Sequence, residues 1–243
     1  MNPIEQFFHE RNTDIEAMGR DEELRRKSID WMVHADRYKY TYNFTWMGRP
    51  IIKFPGDMVA QQEILWKIRP DLVIETGIAH GGSLIFSASI LELIGEGEVV
   101  GIDIDIRKHN RDEIEKHPMF KRITLIEGGS TDEAVVGQVR KLAEGKKRVM
   151  VILDSNHTHQ HVYDELLAYA PMVSVGSYLI LPDTFIEFFP KGYYADRPWD
   201  VGDNPHTAMK KFLSETDDFV IDDHWTSKCM ITESIDGYLL RVK

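Results

Sequence analysis

The sequence predicts an α/β domain, a mostly parallel sheet with helices on both faces. Three observations point there. From residue 71 onward, short and nearly unbroken apolar runs alternate with longer mixed stretches, the pattern of strands buried between two helical layers. A glycine-rich turn, Gly77-Ile78-Ala79-His80-Gly81-Gly82-Ser83, follows the first run. Asp103, Asp154 and Asp183 then stand where later runs end, on the side where such sheets bind ligands.

The elements follow in chain order. Residues 20–33 read as a helix, with Leu24, Ile29, Trp31, Met32 and Val33 as its apolar positions. Tyr38, Tyr40, Tyr42, Phe44 and Trp46 recur at every second position, which suits a strand or an aromatic arm lying over a pocket. Residues 1–49 are therefore expected to form an N-terminal helical and aromatic arm, and residues 50–243 the main domain. Strands are expected at residues 71–75, 98–103, 122–126, 148–153 and 177–181, and helices at 82–94, 109–117, 132–143 and 158–169. A further helix covers residues 204–213, because Asn204 is a good N-cap and Pro205 suits a first turn. Apolar runs at 219–221 and 238–242 supply the closing strands.

Charge and composition exclude several partners. The formal net charge is -11, so the chain repels polyphosphates and nucleic acid is not expected as a partner. No apolar stretch is long enough to span a bilayer. Residues 1–10 are too charged for a secretory signal. The single cysteine, Cys229, leaves no internal disulfide and fits a reducing compartment. A cytoplasmic enzyme with a small-molecule substrate is the expectation. The aromatic arm is a candidate for exchange between subunits of a homo-oligomer.

The loop after the first strand carries the first chemical signal. Gly77 permits a tight turn, and Gly81 and Gly82 let the next helix begin close to a ligand. The free amides and positive dipole end there attract a carboxylate or a phosphate. Ala79 stands where a dinucleotide fingerprint would have its second glycine, and no Gly-Lys-Ser/Thr follows, so a P-loop is excluded. At the tip of the second strand, Asp103 can accept hydrogen bonds from both ribose hydroxyls of a nucleoside, or cap the next helix. The third strand leads into Glu127-Gly128-Gly129-Ser130. The Ser130 hydroxyl can bond an adenine edge or cap the following helix.

The fourth and fifth strands each deliver an aspartate, Asp154 and Asp183, toward one place. Two carboxylates side by side repel, and a hard cation such as Mg²⁺ resolves that repulsion. Helix capping by both is the alternative. His157, three residues past Asp154, is placed to take a proton from a substrate hydroxyl. His80, inside the glycine-rich loop, is a further contact candidate.

Taken together, these residues resemble the cephalosporin hydroxylase and rhamnosyl O-methyltransferase family. The resemblance rests on the run from Arg69 to Gly77, Ala79-x-Gly81-Gly82-Ser83, Gly101-Ile102-Asp103-Ile104-Asp105 and Asp154-Ser155-x-His157. Val173-Ser174-x-Gly176-Ser177-Tyr178, Asp183-Thr184 and Gly237-Tyr238-Leu239 extend it over residues 48–243. It implies the Rossmann-like class I S-adenosylmethionine-dependent methyltransferase fold, with seven strands of which the last is antiparallel. It further implies that Glu75 and the loop Gly77, Ala79, His80, Gly81, Gly82 and Ser83 hold the methionine part of the cofactor. Asp103 would take the ribose, Ser130 the adenine edge, and Asp154 and Asp183 a Mg²⁺ ion, with Asp154 also close to the cofactor. His157 falls where catechol-type relatives place a lysine base. Two departures stand out: Pro182 where relatives often have Glu, and Thr184 where catechol-type enzymes have Asn, leaving Thr184 as the third metal-ligand position.

The expected reaction is methyl transfer to a hydroxyl of a sugar or other polyhydroxylated natural product. A cephalosporin-hydroxylase-type oxidoreductase is an alternative, but no His-x-Asp…His iron triad can be placed on the strand ends. A non-catalytic cofactor-binding subunit is another, and the intact set Asp103, Asp154, His157 and Asp183 argues against it.

Overall fold

The structure, a computed structural model, describes residues 2–243. Two helices open it, α1 (Pro3–Arg20) and α2 (Glu22–Asp36), then a hairpin of β1 (Phe44–Trp46) and β2 (Arg49–Ile51), then α3 (Pro55–Ile68). Strands and helices then alternate: β3 (Leu72–Thr76), α4 (Gly82–Ile94), β4 (Glu98–Asp103), α5 (Lys108–Glu115), β5 (Ile123–Glu127), α6 (Glu133–Ala143), β6 (Val149–Leu153), α7 (His159–Tyr169) and β7 (Tyr178–Ile180). The chain closes through α8 (Pro205–Glu215), β8 (Phe219–Ile221), α9 (Asp223–Cys229) and β9 (Tyr238–Arg241).

Seven strands form the main sheet in the order β5-β4-β3-β6-β7-β9-β8. The ladders from β5 to β7 are parallel, and β9 runs antiparallel to both β7 and β8. Every residue of β3 and β6 is buried, as strands covered on both faces must be. Alternate residues feed opposite cores. Val73 and Met150 face the layer of α3, α4 and α9, while Leu72 and Val151 face that of α6, α7 and α8. Strand order reverses at β3, where β4 lies on one side and β6 on the other. Parallel sheets open a ligand crevice at that point, beyond the carboxyl ends of the strands.

The N-terminal part departs from expectation. The helix read over residues 20–33 is interrupted at Asp21, whose backbone is extended (φ -80°, ψ 94°) and whose side chain accepts the Leu24 N–H. An aspartate that satisfies a free amide makes a better cap than a helix interior residue, so two helices meet there. The alternating aromatics form a strand only at residues 44–46; Lys39 turns left-handed (φ 50°) and residues 40–43 coil into a 3-10 turn. Tyr40 instead packs edge-on against Trp31 and Phe44. The β1–β2 hairpin spans the boundary expected at residue 49. No helix among the described residues is long and apolar enough to cross a membrane.

Candidate active site

A cavity of about 360 Å³ opens beyond the ends of β3, β4, β6 and β7. One wall is the turn after β3. A side chain at Gly77 (φ 85°) would put its Cβ 1.8 Å from the Asp154 carbonyl oxygen, so only glycine lets these turns approach. Asp103, the last residue of β4, accepts the Ile78 N–H through Oδ2 at 2.9 Å and the Asp105 N–H through Oδ1 at 3.1 Å. It thereby ties the turn after β3 to its own strand. Glu75, Gly77, Ala79, His80, Gly82, Ser83 and Asp103 all line the cavity. Glu75 Oε2 and Ser83 Oγ are buried and have no hydrogen-bond partner among the described residues. Unpaired buried polar atoms facing a cavity call for a polar ligand.

The opposite wall carries the acids. Asp154 follows β6, and Asp183 sits after β7 in a left-handed conformation (φ 59°) that Asp tolerates better than most residues. Asp154, His157 and Asp183 each offer one ligand atom, and these atoms lie within 4.8 Å of one another. Two carboxylates and one imidazole suit a divalent cation, the carboxylates favouring a hard one. Burial pushes the Asp154 carboxyl up to about 6, against the pull of the Lys53 charge. Burial likewise raises Glu75 to about 7, again opposed by Lys53.

Three expected contacts sit elsewhere. Gly81 turns toward the Ile114 side chain, its N–H is taken by the Ile78 carbonyl at 2.7 Å, and it is not among the cavity's lining residues. Thr184 is fully buried and its hydroxyl donates to the Glu233 carbonyl at 3.2 Å; it is outside the cluster of Asp154, His157 and Asp183. Ser130 is buried with its Oγ 3.1 Å from His161 Nε2, and is not among the cavity's lining residues.

The rhamnosyl O-methyltransferase/CmcI family model matches residues 38–242. This chain belongs to that family. A rhamnosyl O-methyltransferase of Mycobacterium leprae is 32% identical over 199 residues, 81% of this chain and 82% of its own length. One from Mycobacterium bovis is 31% identical over 204 residues, covering 81% of this chain and 78% of the relative. A solved CmcI structure with Mg and SAM has a TM-score of 0.59 at 21% identity, over 83% of this chain and 78% of that one. An O-methyltransferase from Bacillus cereus, in complex with SAH, has a TM-score of 0.52 at 13% identity, over 82% of both chains. These likenesses show a shared Rossmann-like fold, and family membership makes the chain a methyltransferase.

This member of the rhamnosyl O-methyltransferase/CmcI family also holds cavity residues that sequence reasoning missed. Lys53 is 3% exposed; its Nζ lies 2.7 Å from Glu233 Oε1 and 3.5 Å from Asp154 Oδ2. Burial works against its charge, yet Glu233, Asp154 and Glu75 together hold its pKa well above the ordinary lysine value. The available signal was a lysine set between Ile51-Ile52 and Phe54-Pro55, where a solvated charge is out of place. Glu233, 180 residues away in sequence, carried no such mark. Tyr42, Phe54, Phe185, Phe189, Tyr194 and Trp199 also line the cavity, and Tyr42 belongs to the aromatic arm expected to lie over a pocket. Trp199 meets the His157 ring edge-on with centroids 4.6 Å apart.

Proposed function

We propose that this chain transfers the methyl group of S-adenosylmethionine to a hydroxyl of a sugar or other polyhydroxylated natural product, with help from a divalent cation such as Mg²⁺. One observation carries the reading. A cluster of cation donors, Asp154, His157 and Asp183, shares a cavity with a glycine-rich turn and a strand-tip aspartate, Asp103. Donors for a cation and a cradle for a nucleoside with a charged tail are then one site, with aromatic rings in its lining. The names of the relatives and solved neighbours agree with it.

In this reading Glu75 and the amides of the turn after β3 bind the amino-acid end of the cofactor and Asp103 its ribose, while the adenine contact expected of Ser130 is not carried over, because its hydroxyl pairs with His161 away from the cavity's lining. Asp154 and Asp183 hold the cation. When bound, the cofactor supplies an activated methyl group and the cation lowers the pKa of the acceptor hydroxyl. His157 accepts the proton of that hydroxyl, and the nearby Asp183 carboxylate steadies the charged ring. Phe185, Tyr194 and Trp199 stack on the apolar face of the acceptor and exclude water, which leaves in-line alignment as the main contribution to rate. Residues 1–49 act as an arm over the domain of residues 50–243. A cytoplasmic location, homo-oligomeric assembly through that arm and no role for nucleic acid belong to the same reading.

The test is incubation with methyl-labelled S-adenosylmethionine and a panel of rhamnosides, other glycosides and phenols, read by mass spectrometry. Methylated product should form on a hydroxyl, vanish with EDTA and return with Mg²⁺. Cofactor binding without transfer to any hydroxyl in the panel counts against the acceptor class. Full activity after exhaustive chelation removes the cation.

A further inference from the structure

The hairpin ahead of the sheet reaches the turn after β3 from behind. Arg49 of β2 donates from Nε at 3.0 Å and from Nη2 at 2.7 Å to one atom, the His80 carbonyl oxygen. Its Nη2 also lies 3.1 Å from Asn110 Oδ1. Asn110, buried on α5, donates through Nδ2 to the preceding carbonyl, that of Ala79, at 2.9 Å. Two successive carbonyls of the loop are thus held by one pair of side chains from outside the sheet. Ala79 needs holding, because it sits at φ 45°, a left-handed conformation that costs a residue with a Cβ about 1 kcal/mol or more.

The peptide unit makes this grip directional. C=O and N–H of a trans peptide point opposite ways, so fixing the Ala79 oxygen toward Asn110 turns the His80 N–H away from it. Among the described residues that N–H makes no hydrogen bond, whereas the Gly81 N–H is taken by the Ile78 carbonyl at 2.7 Å. The hairpin is itself anchored to α4, the helix that begins at this loop. Trp46 Nε1 donates to Ser89 Oγ at 3.0 Å, and its ring meets Phe86 edge-on at 4.8 Å. At Gly82 a Cβ would fall 2.1 Å from the Pro50 carbonyl oxygen, so hairpin and helix start touch through backbone.

We propose that Arg49, acting with Asn110, is a positioning residue for cofactor binding. The pair holds the carbonyls of residues 79 and 80 outward, Asn110 directly and Arg49 through the next peptide and its contact with Asn110, and so leaves the His80 N–H free for the anionic end of the ligand. The inference rests on the reading above, in which this loop receives the amino-acid part of S-adenosylmethionine. A donor fork that fits one carbonyl twice is a property of arginine which lysine lacks, so the position should discriminate between the two.

Calorimetric titration with S-adenosylhomocysteine tests it on Arg49→Met, Arg49→Lys and Asn110→Ala. Arg49→Met and Asn110→Ala should each weaken binding by about tenfold to a hundredfold, the scale of one or two lost hydrogen bonds to a shared element. Arg49→Lys should fall between parent and Arg49→Met. The double variant Arg49→Met/Asn110→Ala should be no worse than about threefold below the weaker single, because both act on one loop. A merely structural role would lower the fraction of protein that binds while leaving the dissociation constant of that fraction unchanged, and would overturn the proposal. Affinity within about threefold of parent in both single variants would overturn it too. Parent protein that does not bind S-adenosylhomocysteine at all would instead refute the underlying assignment of the cofactor to this loop.

Discussion

His157 Nδ1 lies 3.3 Å from Asp183 Oδ2, so a side chain from the turn after β6 meets one from the turn after β7 across the mouth of the crevice. The pair supports two jobs at once, holding a cation and moving a proton. A base flanked by a carboxylate is oriented by it and gains a partner for the charge it acquires.

That arrangement predicts a strong kinetic effect. His157→Ala should lower kcat by about 10²–10⁴-fold, the usual range for loss of a general base. Affinity for the cofactor should hardly move, since the proposed reading gives His157 to the acceptor and the cofactor to the turn after β3. Steady-state kinetics checks the first and calorimetry the second. A variant that needs more cation yet regains the full rate at saturating Mg²⁺ would make His157 a ligand and not a base.

Asp103 should matter to the cofactor and to the loop. Asp103→Ala removes the acceptor for the Ile78 and Asp105 amides along with the expected ribose contact. Cofactor binding should weaken by about 1.5–3 kcal/mol, the worth of hydrogen bonds to a charged group. Calorimetry measures it, and unchanged affinity would take Asp103 out of the site.

Glu75 makes the ligand-free protein sensitive to pH. Its carboxyl is raised from 4.5 to about 7, first by burial and despite the Lys53 charge. Between those values the folded chain binds more protons than the unfolded one, so stability falls as pH rises. The contribution is fully present below about pH 4.5 and lost above about pH 7, on the order of 3 kcal/mol from this group. Glu75→Gln should therefore flatten the decline in unfolding free energy from pH 5 to pH 8. An equal decline in parent and variant would contradict the assignment.

Lys53 should be worth more to the fold than a surface lysine. Lys53→Met leaves Glu233 and Asp154 without their buried cation, and breaking one side of such a pair costs about 3–5 kcal/mol. Lys53→Met/Glu233→Gln should recover part of that loss. Urea unfolding of the two single variants and the double variant gives the coupling energy, and strict additivity would show that the two groups do not depend on each other.

How much of this was legible depends on whether a residue is explained by its neighbours in sequence. β3 and β6 are buried throughout, so their apolar runs announce them. α8 starts where expected because Asn204 caps it and Pro205 opens it. α4 and β8 fall on the expected residues. Asp103, Asp154 and Asp183 were visible because a parallel sheet gathers the residues that follow its strands. α1, α3 and α9 were not, since their sequences mix charge and apolar residues without a clean period, and only Ile15 of α1 is buried. The partnership of Lys53 with Glu233 lies across the whole chain, and nothing local to either residue names the other. Ser130 and Thr184 show the reverse limit: their places in the chain were right for a contact, but the folded chain had already committed their hydroxyls to His161 and to the Glu233 carbonyl.

The placement of β9 sets a timetable for biosynthesis. This strand pairs with β7 on one side and β8 on the other, and the segment just before it brings Glu233 to Lys53. On the ribosome, the loop after β3 and Asp103, Asp154 and Asp183 emerge before either event. Until residues 233–241 arrive, β7 is an open edge and the lysine faces the aspartates without its nearest carboxylate. A chain lacking β9 therefore presents an unpaired strand edge on β7, a ready template for pairing with another chain.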